Sequence, residues 1–127
     1  QIYMALAYYE QIEVLMIGGN LYKQSMVNLG IDTVEYLENI RADTYVMGIY
    51  NIDDQIGISV PTISESLVKR KMASISTEVI GLATADKLGT VSNQIIGPAD
   101  LLTYLVTENI NPNIAKLYTR QKIAVIQ

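Results

Sequence analysis

The sequence predicts an α+β domain, in which a small antiparallel sheet packs against one long central helix and an N-terminal helical extension precedes both. Three observations predict it. Two uncharged runs rich in β-branched and aromatic residues, Thr44–Tyr50 and Gln55–Val60, flank an Asp-Asp turn. Thr62 and Glu65 form a capping box, and the next strong helix stop is Gly89. Residues 2–17 are apolar on more than one helical face and end at Gly18-Gly19-Asn20. The chain divides accordingly into an extension, residues 1–30, and a single domain, residues 31–127.

Taken in order, Ile2–Ile17 reads as a helix with Glu10 and Glu13 on its wet side. Leu21–Leu29 fits a short second helix closed by Asn28 and Gly30. Asp32 with Glu35 makes another capping-box pattern, so a helix runs to about Ile40 with Val34 and Leu37 toward the core. The hairpin follows, and Pro61 ends its second strand. The long helix spans Ile63–Leu88: Val68, Met72, Ile75, Val79 and Leu82 repeat at helical spacing, while Ala73, Thr77, Gly81 and Ala85 form a row of small residues. Such a row lets a second backbone approach closely, either from the protein's own sheet or from a second subunit. Beyond Gly89, Val91–Ile96 reads as a strand, and Leu101–Thr107 suits strand or helix. Ile114–Lys122 fits a helix, and Ile123–Ile126 a last strand or the helix's continuation.

A chain of 127 residues, 50% apolar and 17% charged, buries one core and is not disordered. With no Cys and no His there is no thiol nucleophile, disulfide, zinc-finger ligand set or Ser–His triad. Carboxylate, Lys and Tyr chemistry stays open, yet no spacing brings an acid and a base together. No catalytic residue, metal ligand or cofactor site is nominated, and no enzyme is expected. Asn51-x-Asp53-x-Gln55 begins like a calcium loop, but Ile56 stands where Gly is needed and Thr62 where the bidentate Glu belongs. Asp53 and Asp54 are therefore read as the hairpin turn. Gly18-Gly19 lacks the Lys-Ser/Thr of a phosphate loop. Lys69-Arg70-Lys71 spreads over about 200° of helix surface and reads as a solvated face.

Net charge is −4 and the pI about 4.6, which argues against a nucleic-acid partner. The charge is uneven: through residue 68 nine acids face only Lys23 and Arg41, whereas seven bases meet four acids beyond it. The longest uncharged run has twelve residues, Leu88–Ala99, short of the roughly 20 that a spanning helix needs. With no basic signal segment visible, a cytoplasmic location is expected. Nine Tyr without Phe or Trp suit an interface, and Tyr45 and Tyr50 on the hairpin are its candidates.

Over about residues 32–106 the stretches TYVMGIYNIDDQIGISVP, KMASISTEVIGLATADKLG and VSNQIIGPADLLTYLV, preceded by a short helix, resemble the roadblock/LC7 (MglB-like) family. The resemblance implies an α/β sandwich that dimerises through its long helix and an edge strand. It further implies a scaffold or regulator of a small Ras-like GTPase or a motor complex.

The expected function is thus a non-enzymatic, dimeric scaffold or regulatory module acting by protein–protein association. Its partners would be a second copy of itself and a small GTPase, with no nucleic acid and no membrane span. The interface would use Ala73, Thr77, Gly81 and Ala85 together with Tyr45 and Tyr50, and Gly81→Leu would break the oligomer. One alternative is a structural subunit that self-assembles into a filament, shell or coat, since heterologous contacts that do not close make filaments. Another is a small enzyme using carboxylate or Lys chemistry.

Overall fold

The computed structural model describes residues 1–127. A short helix α1 (Ile2–Leu6) leads to a hairpin of β1 (Asn20–Tyr22) and β2 (Val27–Leu29), then to α2 (Ile31–Leu37). Next come β3 (Ala42–Gly48), β4 (Asn51–Asp53), β5 (Gly57–Val60), α3 (Ile63–Ser74) and β6 (Ser76–Leu82). The chain closes with β7 (Gln94–Gly97), β8 (Tyr104–Val106), α4 (Pro112–Thr119) and β9 (Ala124–Ile126). The main sheet is four-stranded and wholly parallel, in the order β3-β6-β8-β9. A second, antiparallel sheet has the order β4-β5-β7.

This arrangement corrects the expected antiparallel sheet on a long central helix. The capping box at Thr62 forms, with Thr62 Oγ1 accepting from the Glu65 amide at 3.3 Å. The helix it opens, however, ends at Ser74. There the Ser74 and Ser76 hydroxyls donate to the Lys71 and Met72 carbonyls at 2.7 Å each, satisfying groups that a continuing helix would have used. Thr77, Val79 and Ile80 then pass to the extended backbone that β-branched residues favour. The row Ala73, Thr77, Gly81, Ala85 loses its helical basis: Ala73 lies on α3, Thr77 and Gly81 on β6, and Ala85 in a short 3-10 turn, Ala85–Lys87.

The expected hairpin is also re-paired. β3 does not meet β5 but runs parallel to β6, with Tyr45 opposite Val79 and Gly48 opposite Leu82. The hairpin that does form joins β4 to β5. Parallel pairing requires a long crossover, here supplied by β4, β5 and α3 between β3 and β6, and by α4 between β8 and β9. In the first thirty residues the long helix reduces to Ile2–Leu6, and the second helix is replaced by the β1–β2 hairpin. α2 starts at Ile31 behind Gly30, so Asp32 sits inside its first turn rather than at its cap.

One core serves both sheets. Tyr45 and Met47 of β3, Val79 of β6 and Leu105 of β8 pack with Ile52, Ile58 and Val60 of the antiparallel sheet, and Tyr118 of α4 closes that cluster. Alternation along β3 sends Val46 to the other face, where it stays exposed. No helix is long and apolar enough to cross a membrane.

Candidate functional site

Register aligns the last residues of the four parallel strands, Gly48, Leu82, Val106 and Ile126, along one edge of the sheet. In open parallel sheets that edge, beyond the strands' C-terminal ends, is where ligands bind. At the β3 end of it lies a cavity of about 480 Å³ between β2, β3 and α3, a volume suited to a small molecule. Leu29, Ile49, Val68 and Met72 give it a mostly apolar wall. Its polar groups come from α3 (Glu65 and Lys69), the β1–β2 hairpin (Ser25 and Asn28), Tyr45 of β3 and Tyr50 just after it. A smaller hollow of about 220 Å³ beside the β1–β2 hairpin contains no acidic or basic residue and offers less to recognise a ligand.

Glu65 stands in the first turn of α3, only 5% exposed, and Lys69 follows one turn later. Their side chains meet at 3.2 Å, as the i, i+4 spacing allows. The Lys69 ammonium also donates to the main-chain carbonyl of Gly48 at 2.7 Å. A buried carboxylate is thereby neutralised and hydrogen-bonded, the condition under which burial of a charge is tolerated. Tyr45 lines the same cavity, and burial, reinforced by the Glu65 charge, pushes its hydroxyl well above the ordinary tyrosine range. It remains a neutral phenol, able to donate.

The segment after β6 touches the cavity's lining at Tyr50. Lys87 lies 5.2 Å from the ring centroid of Tyr50, a cavity-lining residue, and 3.4 Å from Asp86. The Thr84 hydroxyl hydrogen-bonded to Asp86, and then the Lys87 charge, hold the Asp86 carboxyl below its usual range. The segment is anchored by Asn51, whose amide donates to Thr90 Oγ1 at 2.6 Å and whose carbonyl accepts from Ser92 Oγ. Thr90 in turn donates to the Lys87 carbonyl at 2.7 Å.

Of the residues nominated from sequence, Tyr45 and Tyr50 meet at this cavity, one buried and one exposed on its edge. Ala73 and Gly81 are buried within the chain's own core, whereas Thr77 and Ala85 are exposed. A Cβ at Gly81 would lie 2.8 Å from Leu102 Cδ1 and 3.3 Å from Ile49 Cδ1, so the small residue makes room for the chain's own side chains. Asp53 shapes the β4–β5 turn by accepting from the Gln55 and Ile56 amides, both at 2.9 Å, and Asp54 follows it there. Sequence reasoning missed Glu65 and Lys69 as a site: the first was assigned to capping alone, the second to a solvated basic face. The signal available was their i, i+4 spacing. Lys69 and Arg70 both donate to main-chain carbonyls, Gly48 and Ile95.

A family model for the DeoR C-terminal sensor domain matches residues 1–109. The chain is 31% identical over 106 residues to the HTH-type transcriptional repressor GlcR of Bacillus subtilis (strain 168), covering 84% of this chain and 40% of that protein. It is 29% identical over 107 residues to a putative aga operon transcriptional repressor of Escherichia coli O157:H7, with the same coverages. It is also 29% identical over 108 residues to the HTH-type transcriptional regulator GolR of Listeria innocua serovar 6a, covering 84% of this chain and 42% of that protein. The chain thus spans about two fifths of the length of the curated relatives it matches.

These matches overturn the roadblock/LC7 resemblance, and with it the reading as a scaffold for a small GTPase and the alternative of a structural subunit. The shared pattern of strand, turn and helix was too loose to separate the families, and its long helix does not exist. The exclusion of nucleic acid is corrected too, because the relatives are transcriptional repressors and regulators; the acidic balance describes only the part of such a protein that this chain matches. Those relatives are transcriptional regulators rather than enzymes. Matched over residues 1–109, this chain belongs to the DeoR C-terminal sensor domain family.

Proposed function

We propose that the chain is the effector-sensing part of a transcriptional repressor, and that a small molecule binds in the cavity between β2, β3 and α3. The observation that carries the reading is the pairing of a cavity of about 480 Å³ with the buried Glu65–Lys69 ion pair on its wall, at the C-terminal end of β3. The apolar lining supplies affinity, and Tyr45 and Lys69 supply orientation. The role is that of a regulator, in keeping with relatives that are transcriptional repressors and regulators: these groups hold a ligand. Effector occupancy is coupled to DNA binding in a repressor of the kind the relatives' names describe, and such a protein works in the cytoplasm. Residues 31–127 form the body of the sensing unit and residues 1–30 an extension held to it, which supplies Leu29 to the cavity wall and is tied down by Thr33 Oγ1 donating to the Gly18 carbonyl at 2.7 Å. Of the expected interface residues, Thr77, Ala85 and Tyr50 are the ones another protein surface can reach.

The test is thermal unfolding against a library of sugars, sugar phosphates, carboxylic acids and amino acids, run on the chain and on Met72→Trp. A ligand of the folded state raises the melting temperature by mass action. The reading expects compounds that stabilise the native chain and not the cavity-filled variant. Equal stabilisation of both would remove the cavity from the account.

A further inference from the structure

On the wall of the β3 cavity, Tyr45 is both buried and unattached. The residue is 9% exposed. Burial and the nearby Glu65 charge act on its hydroxyl, and no hydrogen bond does. Only the Thr107 hydroxyl is sealed from solvent without a partner, so the unpaired Tyr45 oxygen keeps accessible surface, and the cavity that Tyr45 lines is where that surface lies. The other polar groups on the wall are engaged or wet. The Asn28 amide donates to the Ile17 carbonyl at 2.9 Å. Glu65 and Lys69 face each other at 3.2 Å, and Lys69 donates to the Gly48 carbonyl. Ser25 and Tyr50 are exposed, where water satisfies them.

An unmatched O–H in a mostly apolar cavity discriminates between ligands. A compound that offers it an acceptor gains a bond, and one that offers none leaves the donor unpaired. Charge narrows the choice of acceptor. Glu65 and Lys69 are the only ionised residues on the wall, and they neutralise each other. Glu65 is also close enough to Tyr45 for its charge to bear on the hydroxyl. A carboxylate or phosphate accepting from Tyr45 would therefore be set near the Glu65 charge, with no free cation on the wall to offset it. We infer that Tyr45 is the specificity-determining residue of the cavity, donating to an uncharged oxygen of the ligand: a carbonyl, a hydroxyl or an ether. The inference rests on the effector reading of the cavity and adds the chemistry of the group that meets this wall.

The experiment uses two compounds built on one carbon ring, cyclohexanone and sodium cyclohexanecarboxylate. Each is titrated into the chain, Tyr45→Phe and Met72→Trp, following the Gly48 and Lys69 amides by NMR. Cyclohexanone is expected to shift both amides saturably in the parent and not in Met72→Trp. It binds Tyr45→Phe about fivefold or more weakly, the loss of one hydrogen bond to a neutral acceptor. The carboxylate binds the parent roughly tenfold or more weakly than the ketone, because its charge finds no partner. Without ligand, Tyr45→Phe unfolds in urea at the parent's midpoint or above it, since its hydroxyl has no internal bond to lose. Ketone binding unchanged in Tyr45→Phe, or carboxylate binding as tight as the ketone's, would overturn the inference while leaving the cavity a binding site. Saturable shifts that survive Met72→Trp would remove the cavity itself, and the effector reading with it. The absence of any saturable shift would overturn the inference, as would a Tyr45→Phe variant clearly less stable than its parent, which would show that the hydroxyl already has a partner.

Discussion

The ammonium of Lys69 donates to the carbonyl of Gly48, 2.7 Å away and twenty-one positions earlier in the chain. That bond ties α3 to the end of β3, and because Lys69 also neutralises the buried Glu65, one side chain fixes both the shape and the charge of the cavity. Removing it as Lys69→Met leaves Glu65 buried and uncompensated, which costs about 3–5 kcal/mol. The paired replacement Glu65→Leu with Lys69→Met costs far less, because no lone charge remains. Urea denaturation of the two variants checks the order; equal losses would contradict it.

Gly81 gives a second prediction. Because a Cβ there already crowds Leu102 and Ile49, Gly81→Leu overpacks the core and lowers stability by roughly 2–3 kcal/mol or more. Gly81→Ala costs less, since the atoms it meets are ends of side chains. The measurement is the unfolding midpoint of each variant, and a Leu variant as stable as the parent would refute the packing described.

High pH tests the buried phenols. Burial first, and then the charges of Asp54 and Asp53, push Tyr118 up to about 12, and Tyr45 is shifted upward as well. An unfolded tyrosine titrates near 10. Between those values the unfolded chain has lost the proton that the folded chain still holds, so stability is complete below pH 10 and falls as pH rises toward 12. Tyr118→Phe flattens that decline. At neutral pH it costs about 1 kcal/mol or less, the hydroxyl's bond to the Ile52 carbonyl being long at 3.4 Å. Stability followed from pH 8 to 12 decides the matter.

Asn51 anchors the segment after β6. Asn51→Ala removes the amide's bond to Thr90 and the acceptor for Ser92. It lowers stability by about 1–3 kcal/mol and speeds amide exchange through residues 84–92 before the rest of the chain. Hydrogen exchange resolved by residue measures this; uniform acceleration would mean that Asn51 supports the whole core instead.

Local signals in the sequence were legible where a side chain acts on its own neighbours. The Thr62–Glu65 cap, the stop at Pro61, the turn at Asp53 and the helix after Pro112 all follow from short-range chemistry. The end of α3 was not legible. Ser74-Ile75-Ser76 contains neither Gly nor Pro, and Val79 and Leu82 continue the helical spacing by coincidence of position. Pairing was hidden for a related reason. β3 and β5 are adjacent uncharged runs and suggest a hairpin, whereas parallel partners lie some thirty residues apart and leave no local mark. The cavity was hidden because Glu65 and Lys69 acquire their role only when α3 is laid against Gly48.

The most direct test of the effector reading is residue-by-residue mapping of a bound compound by amide NMR, using whichever library member stabilises the chain most. The account predicts that the largest shifts fall on Tyr45, Gly48, Glu65, Lys69 and Met72, and vanish in Met72→Trp. Shifts gathered on the β1–β2 hairpin, or on the antiparallel sheet away from β3, would contradict it.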